Sequence, residues 1–251
     1  MSIESELSGL IGDLPDGVTE GVALGTGLAD GYDIYESVVG SVAVTFNPMG
    51  VSSVDVVDEL IGERFSERFG RGLIRAEAPS KWKRRIPDAI EAGRAGVVPV
   101  DLRSVTPFQA QVLNVTATIP KGEVRSYAWL AHEVDRPGAT RAAGSVMARN
   151  PIPLIIPCHR VVRADGHIGN YSLGGPHNKT ELLTHEGASP DWLEGLASRH
   201  VRVQGNFTTR VFCHPTCHVI RDSQAADIVD FHNTRQASEA GYEACEVCRP
   251  V

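Results

Sequence analysis

The segment NPIPLIIPCHRVV, residues 150–162, constrains this chain more than any other. Its three prolines fix the backbone on both sides of a short apolar run, which places Cys158 where a stiff strand leaves the core. Cys158 directly precedes His159. A thiol is a useful nucleophile only as a thiolate, and a neighbouring imidazole is a common way to make one. The pair is equally compatible with a buried structural cysteine beside a surface histidine, so the rest of the sequence has to decide.

The length and composition predict two or three small domains, because the chain has 251 residues and is 42% hydrophobic. No apolar run approaches the ~20 residues that cross a bilayer. The acidic start of the chain lacks the basic region of a secretory signal. We therefore expect a cytoplasmic protein with no membrane partner and no disulfides.

Basic residues are concentrated in one part of an acidic chain. The net charge is −7, but residues 121–163 contain seven Lys or Arg against three Asp or Glu. A local basic patch is what contact with phosphates requires, whatever the charge of the whole chain. The alternative interpretation is an ordinary solvated surface.

The first hundred residues predict a small α/β domain after an irregular start. Residues 1–37 are acidic and rich in glycine with weak periodicity, which predicts a poorly ordered lead-in. Residues 41–46 have the pattern of a strand, and residues 53–69 have apolar side chains near helical spacing. We place the N-terminal α/β domain at residues 38–100.

Residues 101–188 predict a helical domain. Thr106 is an N-cap followed by Pro107 at the first helical position, and Ser126 can cap the next helix. A further helix runs to about Asn150 after a short turn that contains glycine. Two helices joined in this way inside the basic region favour a helix-turn-helix.

The remainder of the chain continues from that pair. A strand through the Cys-His pair leads to a glycine-rich loop and to a helix over about residues 178–185. Residues 189–202 have the pattern of a helical linker, and residues 203–251 form a last domain.

The second helix of the pair, residues 138–150, presents an unusually flat face. Apart from Arg141, that face consists of the short residues Gly144, Ser145 and Ala148. A backbone so uncovered could enter a narrow groove, which favours contact with the DNA minor groove. Close packing of helix on helix is the alternative.

Four cysteines near the end of the chain predict a metal site. They have the spacing C-x3-C and C-x2-C, and soft thiolates at such spacing are the usual ligands of structural Zn²⁺. A segment of this size with few large apolar residues needs a metal to fold. We therefore expect one Zn²⁺ and no organic cofactor, with the ligands Cys213, Cys217, Cys245 and Cys248.

The motifs TPFQAQVL, IPKGEVRSYAWLA, RAAG, NPIPLIIPCHRVV, GHIGNYSLGG and LLTHEG occur in this order over residues 100–187. In them the chain closely resembles the O6-alkylguanine-DNA alkyltransferases. The resemblance implies an α+β fold, with a small N-terminal α/β domain and a winged helix-turn-helix-like alkyltransferase domain, here followed by the small zinc domain with its four cysteines. It implies catalytic roles for Cys158, His159, Glu186, Asn150 and Tyr127, and DNA contacts by Arg141, Tyr127, Ser145, Arg160, Tyr171 and Ser172.

The activity that this resemblance implies is stoichiometric DNA repair. Such proteins flip O6-alkylguanine, and in some cases O4-alkylthymine, out of duplex DNA and move the alkyl group to a cysteine. Here Cys158 would be the acceptor, His159 would take the thiol proton through a water, and Glu186 would polarise the histidine. Water does not hydrolyse the resulting thioether, so each molecule would act once, and we expect a monomer.

The last domain resembles the zinc domain of Ada-type methylphosphotriester methyltransferases, in the stretches TTRVFCHPTC and EAGYEACEVCRP. That resemblance implies that Cys213 could accept a methyl group from a DNA phosphotriester. The sequence departs from the pattern because His214, Glu243 and Glu246 stand where such domains usually carry basic residues, which weakens contact with phosphate. A second interpretation stays open, a non-enzymatic lesion sensor whose zinc domain docks a partner protein.

Overall fold

The computed structural model describes residues 18–163 and 165–251. Its first part is a four-stranded sheet with helices. The elements are α1 (Val18–Thr26), β1 (Ala29–Ser37), β2 (Gly40–Asn47), β3 (Gly50–Val56), α2 (Ile61–Phe69), β4 (Gly72–Arg75), α3 (Ser80–Lys83) and α4 (Ile86–Ala92). The strand order is β3-β2-β1-β4, with β1 antiparallel to β2 and parallel to β4.

The predicted irregular start over residues 1–37 is wrong for residues 18–37, which form α1 and the inner strand β1; residues 1–17 lie outside the described residues. Acidic side chains suggested a solvated segment, yet Asp30 is fully buried. It accepts hydrogen bonds from Asn47 at 3.0 Å and Ser52 at 2.6 Å and forms an ion pair with Arg71 at 3.0 Å. A carboxylate satisfied in this way is tolerated inside a sheet.

The strand predicted at residues 41–46 is confirmed as β2, but the helix predicted over 53–69 is wrong in its first half. Residues 50–56 form β3 and the helix begins only at Ile61. Val51 and Val54 are buried on a strand that pairs with β2. Their β-branched side chains fit a pleated surface, and this pairing outweighs the helical spacing.

The second part of the fold is mostly helical. Its elements are α5 (Pro107–Thr116), β5 (Arg125–Ser126), α6 (Tyr127–Glu133), α7 (Thr140–Ala148), β6 (Val161–Val162), α8 (Gly175–His185) and α9 (Pro190–Ser198). Both predicted caps are confirmed, since Thr106 forms a capping box with Gln109 and Ser126 accepts the Trp129 N–H at 3.1 Å. Helices α6 and α7 form the predicted helix pair, joined by a short 3-10 turn.

The strand predicted through Cys158 is wrong. Cys158–Arg160 is a 3-10 turn, and only the two residues of β6 pair, in parallel with β5. The prolines at positions 151, 153 and 157 have no N–H to donate to a ladder, so this stretch cannot join a sheet. The predicted helical linker at 189–202 contains α9.

The C-terminal part is a small second sheet with short helices. Its elements are β7 (Val203–Asn206), β8 (Val211–Cys213), α10 (His218–Arg221), β9 (Ile228–Phe231), α11 (Thr234–Glu239) and β10 (Glu243–Ala244). The strand order is β10-β8-β7-β9. One small apolar cluster consists of Val203, Phe212, Phe231, Ala237 and Tyr242, and a second contains the four cysteines and Ile220.

One large apolar core joins the N-terminal sheet to the helical part. Trp82 and Ile86 from the first part belong to the same buried cluster as Leu130, Met147 and Ile155 from the second. The segment that contains Cys158 is therefore held from both sides by packed side chains. Over residues 18–163 and 165–251, no helix has the length and apolar character needed to cross a membrane.

Candidate active site

Cys158 begins the 3-10 turn and is 4% exposed. The Asn150 side-chain amide donates to its Sγ at 3.1 Å and to the Ile156 carbonyl at 2.9 Å, while the Asn150 Oδ1 accepts the Ile152 N–H at 3.0 Å. Asn150 therefore fixes the turn and the sulfur together. Burial raises the pKa of Cys158, and the bond from Asn150 and the charge of Lys179 oppose the rise.

His159 and Glu186 form a buried pair beside this cysteine. The His159 Nε2 lies 2.9 Å from the Glu186 Oε1. Burial lowers the pKa of His159 and the hydrogen bond to Glu186 offsets this only in part, so the imidazole is neutral at neutral pH. A neutral ring that donates through Nε2 has its lone pair on Nδ1. That atom is buried and lacks a partner among the described residues, which leaves it available as a proton acceptor.

The predicted DNA contact by Arg160 is wrong, because this residue is buried and does not lie on a surface. Its side chain is 2% exposed and bonds Glu186 through Nε and Nη2, the latter at 2.6 Å. The remaining donors reach the carbonyls of Ala92, Gly93 and Ile119 at 2.7–3.2 Å. Gly93 has φ 55°, and a Cβ placed there would collide with the Arg160 guanidinium. Arg160 thus joins the turn Cys158–Arg160 to the N-terminal part of the fold.

The same ion pair sets the charge of Glu186. Burial alone would raise the pKa of this carboxyl, but the hydrogen bonds from His159 and Arg160 outweigh it and lower the pKa to about 2. Glu186 is therefore ionised whenever the protein is folded near neutral pH, and it can hold the imidazole in one tautomer.

Lys179 is a buried residue of the site that sequence reasoning missed. It is fully buried on α8, and its Nζ donates to the carbonyls of Val161 at 2.6 Å, Ile168 at 2.7 Å and Asn170 at 3.4 Å. Burial lowers its pKa to about 8, and the charge on Cys158 opposes the fall. Lys179 lies three and four residues before the buried Leu182 and Leu183. This helical spacing puts it on the buried face of α8 and could have indicated its burial from the sequence.

Cys158 lines a pocket of about 460 Å³, within the range of about 300–1,000 Å³ typical of small-molecule sites. The Tyr171 ring meets His159 edge-on at 6.1 Å, and its buried hydroxyl has no partner among the described residues. The lining residues are Tyr127, Gly144, Met147, Ala148, Cys158, Arg163, Gly169, Asn170, Tyr171 and Ser172. The structure therefore brings Tyr127, Tyr171 and Ser172 together with the cysteine, and adds Arg163, which the sequence analysis did not single out.

Helix α7 forms one wall of this pocket and carries its flat face outward. Arg141, Ser145 and Ala148 are exposed, while Val146 and Met147 are buried. The exposed positions next to a pocket leave room for a close partner. Ser145 is not free, since its hydroxyl donates to the Arg141 carbonyl at 3.2 Å.

The basic surface is smaller than the sequence suggested. Arg125 and Arg160 are buried with Glu123 and Glu186, and Lys121 pairs with an acid at 2.6 Å. Among the residues that the structure describes, no acid forms an ion pair with the exposed Arg136, Arg141 or Arg149. Arg163 is exposed but pairs with Asp165.

The four C-terminal cysteines converge as predicted. All four are buried, and their sulfur atoms lie within 4.8 Å of one another. A tetrahedral Zn²⁺ with bonds of about 2.3 Å needs sulfurs about 3.8 Å apart, so the set fits this ion. The His214 N–H donates to the Cys248 Sγ at 3.3 Å, as backbone groups do around a metal-bound thiolate.

Two family models match the chain, one before α9 and one from its last residue onward. Residues 107–188 match the model described as 6-O-methylguanine DNA methyltransferase, DNA binding domain. Residues 198–251 match the model described as metal binding domain of Ada. The first range contains the site around Cys158 and the second contains the four-cysteine cluster.

Individual relatives agree with the first of these two family models. The methylated-DNA–protein-cysteine methyltransferase of Shigella flexneri is 46% identical over 82 residues, 33% of this chain and 47% of that protein. The chain spans about half of the length of the curated relatives it matches. The crystal structure of Mycobacterium tuberculosis OGT in complex with DNA is 31% identical and matches 65% of this chain and 98% of that chain with a TM-score of 0.51. The crystal structure of Mycobacterium tuberculosis O6-methylguanine methyltransferase is 31% identical, over 62% of this chain and 92% of that one, with a TM-score of 0.50. Since these matches take in nearly all of each solved chain, the chain belongs to the O6-methylguanine-DNA methyltransferase family and carries in addition an Ada-type metal-binding domain.

Proposed function

We propose that this protein, as a monomer, repairs O6-alkylguanine in duplex DNA by moving the alkyl group to Cys158, once per molecule. The observation that carries the proposal is the arrangement of Asn150, Cys158, His159 and Glu186 beside a pocket of ligand size. This is a nucleophile, a base and a group that orients the base. The pocket opens beside a helix whose exposed face is flat enough to approach DNA closely.

The chemistry follows from two buried pairs, Asn150 with Cys158 and His159 with Glu186. His159 Nδ1 takes the thiol proton, through a water if the base and sulfur do not touch, and the Asn150 amide and Lys179 stabilise the thiolate. The sulfur bonds to the alkyl carbon and the bond from that carbon to O6 breaks. Its electron pair returns to the guanine ring, and guanine gains the proton that Cys158 lost. A thiol and an O6-alkylguanine thus become a thioether and guanine.

A base inside a duplex cannot reach a buried sulfur, so the reaction needs base flipping. Arg141, which is exposed at the start of α7, would fill the gap that a flipped base leaves. Tyr127, half-buried in the pocket wall, would contact the flipped base and its phosphate. Tyr171, whose buried hydroxyl lacks a partner among the described residues, would hydrogen-bond the base.

Intact mass spectrometry after incubation with an O6-methylguanine duplex tests this proposal. We expect the protein to gain the mass of one methyl group, stoichiometrically and without turnover. Cys158→Ala should gain none. Tight binding of the duplex by the wild-type protein without any mass gain would contradict the proposal and favour a lesion sensor.

The metal domain supports a more limited proposal. We infer that it binds one Zn²⁺ per chain through its four cysteines, which metal analysis of the purified protein would count. Cys213 is only 1% exposed and the acids Glu243 and Glu246 lie beside the second cysteine pair. For this reason we do not assign methyl transfer from phosphotriesters to Cys213. Incubation of the protein with methylphosphotriester DNA, with Cys213→Ser as the control, tests this conclusion.

A further inference from the structure

The metal-binding domain contacts the alkyltransferase domain through the loop between its first two cysteine ligands. The Thr216 hydroxyl accepts the Val124 N–H at 2.9 Å and donates to the Val124 carbonyl at 3.4 Å. Thr216 and Val124 are 3% and 5% exposed. The buried Val124 N–H is thus satisfied by a side chain that lies 92 residues later in the sequence, while the Val124 carbonyl also accepts from the Arg125 guanidinium at 2.9 Å.

A buried carboxylate adds a second contact at the same place. Glu123, 2% exposed, accepts from the His218 N–H at 3.2 Å and from its Nδ1 at 2.8 Å, and pairs with Arg125 at 2.5 Å. His218 directly follows the ligand Cys217, and Thr216 directly precedes it. Both contacts therefore depend on the conformation of the chain around one metal ligand.

The segment 123–126 leads without a break to the reactive site. Its last two residues are β5, which pairs with β6, and β6 directly follows the turn Cys158–Arg160. Ser126 also caps α6, whose first residue is Tyr127. The acceptor cysteine and the pocket tyrosine are therefore both attached to the strand pair that the metal-binding loop holds.

We propose that Thr216 and Glu123 are positioning residues for alkyl transfer, and that metal binding at the four cysteines regulates the reactive site through them. The inference rests on the proposed function. With metal bound, the loop around Cys217 is fixed and satisfies Val124. Without metal the loop loses its anchor and residues 123 and 124, which lead directly into β5, lose their buried partners. The separation of Tyr127 and Cys158 is then no longer fixed.

The first experiment compares Thr216→Val, which removes the hydroxyl at nearly constant volume, with Thr216→Ser, which keeps it. Thr209→Val, at an exposed position of the same domain, is the matched control. The measurements are zinc content, affinity for the O6-methylguanine duplex and the single-turnover transfer rate at saturating duplex.

We expect Thr216→Val to keep its zinc but to transfer about tenfold more slowly at saturation, because it leaves a buried N–H unsatisfied. Thr216→Ser and Thr209→Val should transfer at about the wild-type rate. Equal rates for the valine and serine variants at position 216, with zinc retained, would overturn the inference. A wild-type protein that transfers no methyl group would instead refute the proposed function.

The second experiment needs neither a substrate nor a variant. Hydrogen exchange of backbone amides is followed in the full-length protein before and after zinc is removed with a chelator. We expect faster exchange over residues 123–133 after removal, and unchanged exchange in α2, which packs on the N-terminal sheet. Unchanged exchange over residues 123–133 would overturn the inference even if Thr216→Val fails to fold.

Discussion

The Glu186 carboxylate binds His159 Nε2 at 2.9 Å while the same carboxylate accepts from the Arg160 guanidinium. One buried acid therefore orients the candidate base and also neutralises the arginine that ties the reactive turn to the N-terminal sheet. In the proposed function, alkyl transfer and stability would both depend on the charge of Glu186.

Glu186→Gln should slow methyl transfer by at least about tenfold, because the amide no longer polarises His159 as a carboxylate does. It should also cost about 3–5 kcal/mol of stability, since Arg160 stays buried without its partner. Glu181→Gln, on the exposed face of α8, the helix that ends directly before Glu186, is the control and should change neither quantity much. Equal transfer rates for the two variants would contradict the role assigned to Glu186.

The acid stability of the protein should reflect the same carboxyl. Its pKa is lowered from 4.5 to about 2 in the folded state, so its contribution to stability is complete above about pH 4.5 and disappears as the pH falls toward 2. Urea unfolding of the wild type and of Glu186→Gln across this range measures the difference. We expect the advantage of the wild type to shrink below pH 4.5; a constant advantage would show that the carboxylate charge is not its source.

Lys179→Met should lower stability by about 2–4 kcal/mol, because the carbonyls of Val161, Ile168 and Asn170 lose their shared buried donor. Lys121→Met makes the same chemical change at a partly exposed ion pair and should cost less than about 1 kcal/mol. Thermal or denaturant unfolding gives both values. Similar losses in the two variants would show that the buried contacts of Lys179 are not decisive.

Arg141→Ala should weaken binding to duplex DNA and reduce the salt dependence of that binding, by about one unit of slope if the side chain contacts one phosphate. Its exposure on α7 means that stability should be nearly unchanged. Arg235→Ala, an exposed arginine in the metal-binding domain, is the control for lost charge. An unchanged affinity of Arg141→Ala for duplex DNA would contradict the proposed contact between Arg141 and DNA.

Much of the site could be predicted because its residues are adjacent in sequence or belong to short motifs. Asn150, Cys158 and His159 lie within ten residues, and Glu186 follows in a second motif. The four cysteines were predictable for the same reason, since their pairs have characteristic spacing. Spacing was sufficient for the four cysteines, whereas the roles of Asn150, His159 and Glu186 were predicted from the resemblance to a known family.

The roles of Arg160 and Lys179 could not be predicted in this way. A charged side chain is expected at the surface, and what reverses that expectation is a set of backbone carbonyls that the folded chain brings around the charge. For Arg160 these include Ala92 and Gly93, more than sixty residues earlier. Strand β1 was missed for a related reason, because Asp30 is acceptable inside a sheet only through Asn47, Ser52 and Arg71.

The contact between Gly93 and Arg160 has a consequence for how the chain can vary. The N-terminal sheet shares an apolar core with the helical part, and such cores accept many exchanges of similar volume. Gly93 does not have this freedom, since any side chain there would displace the guanidinium that holds Glu186. A substitution at Gly93, in a part of the chain remote from Cys158 in sequence, would therefore disturb the buried charges around Glu186 rather than only the packing of the N-terminal sheet.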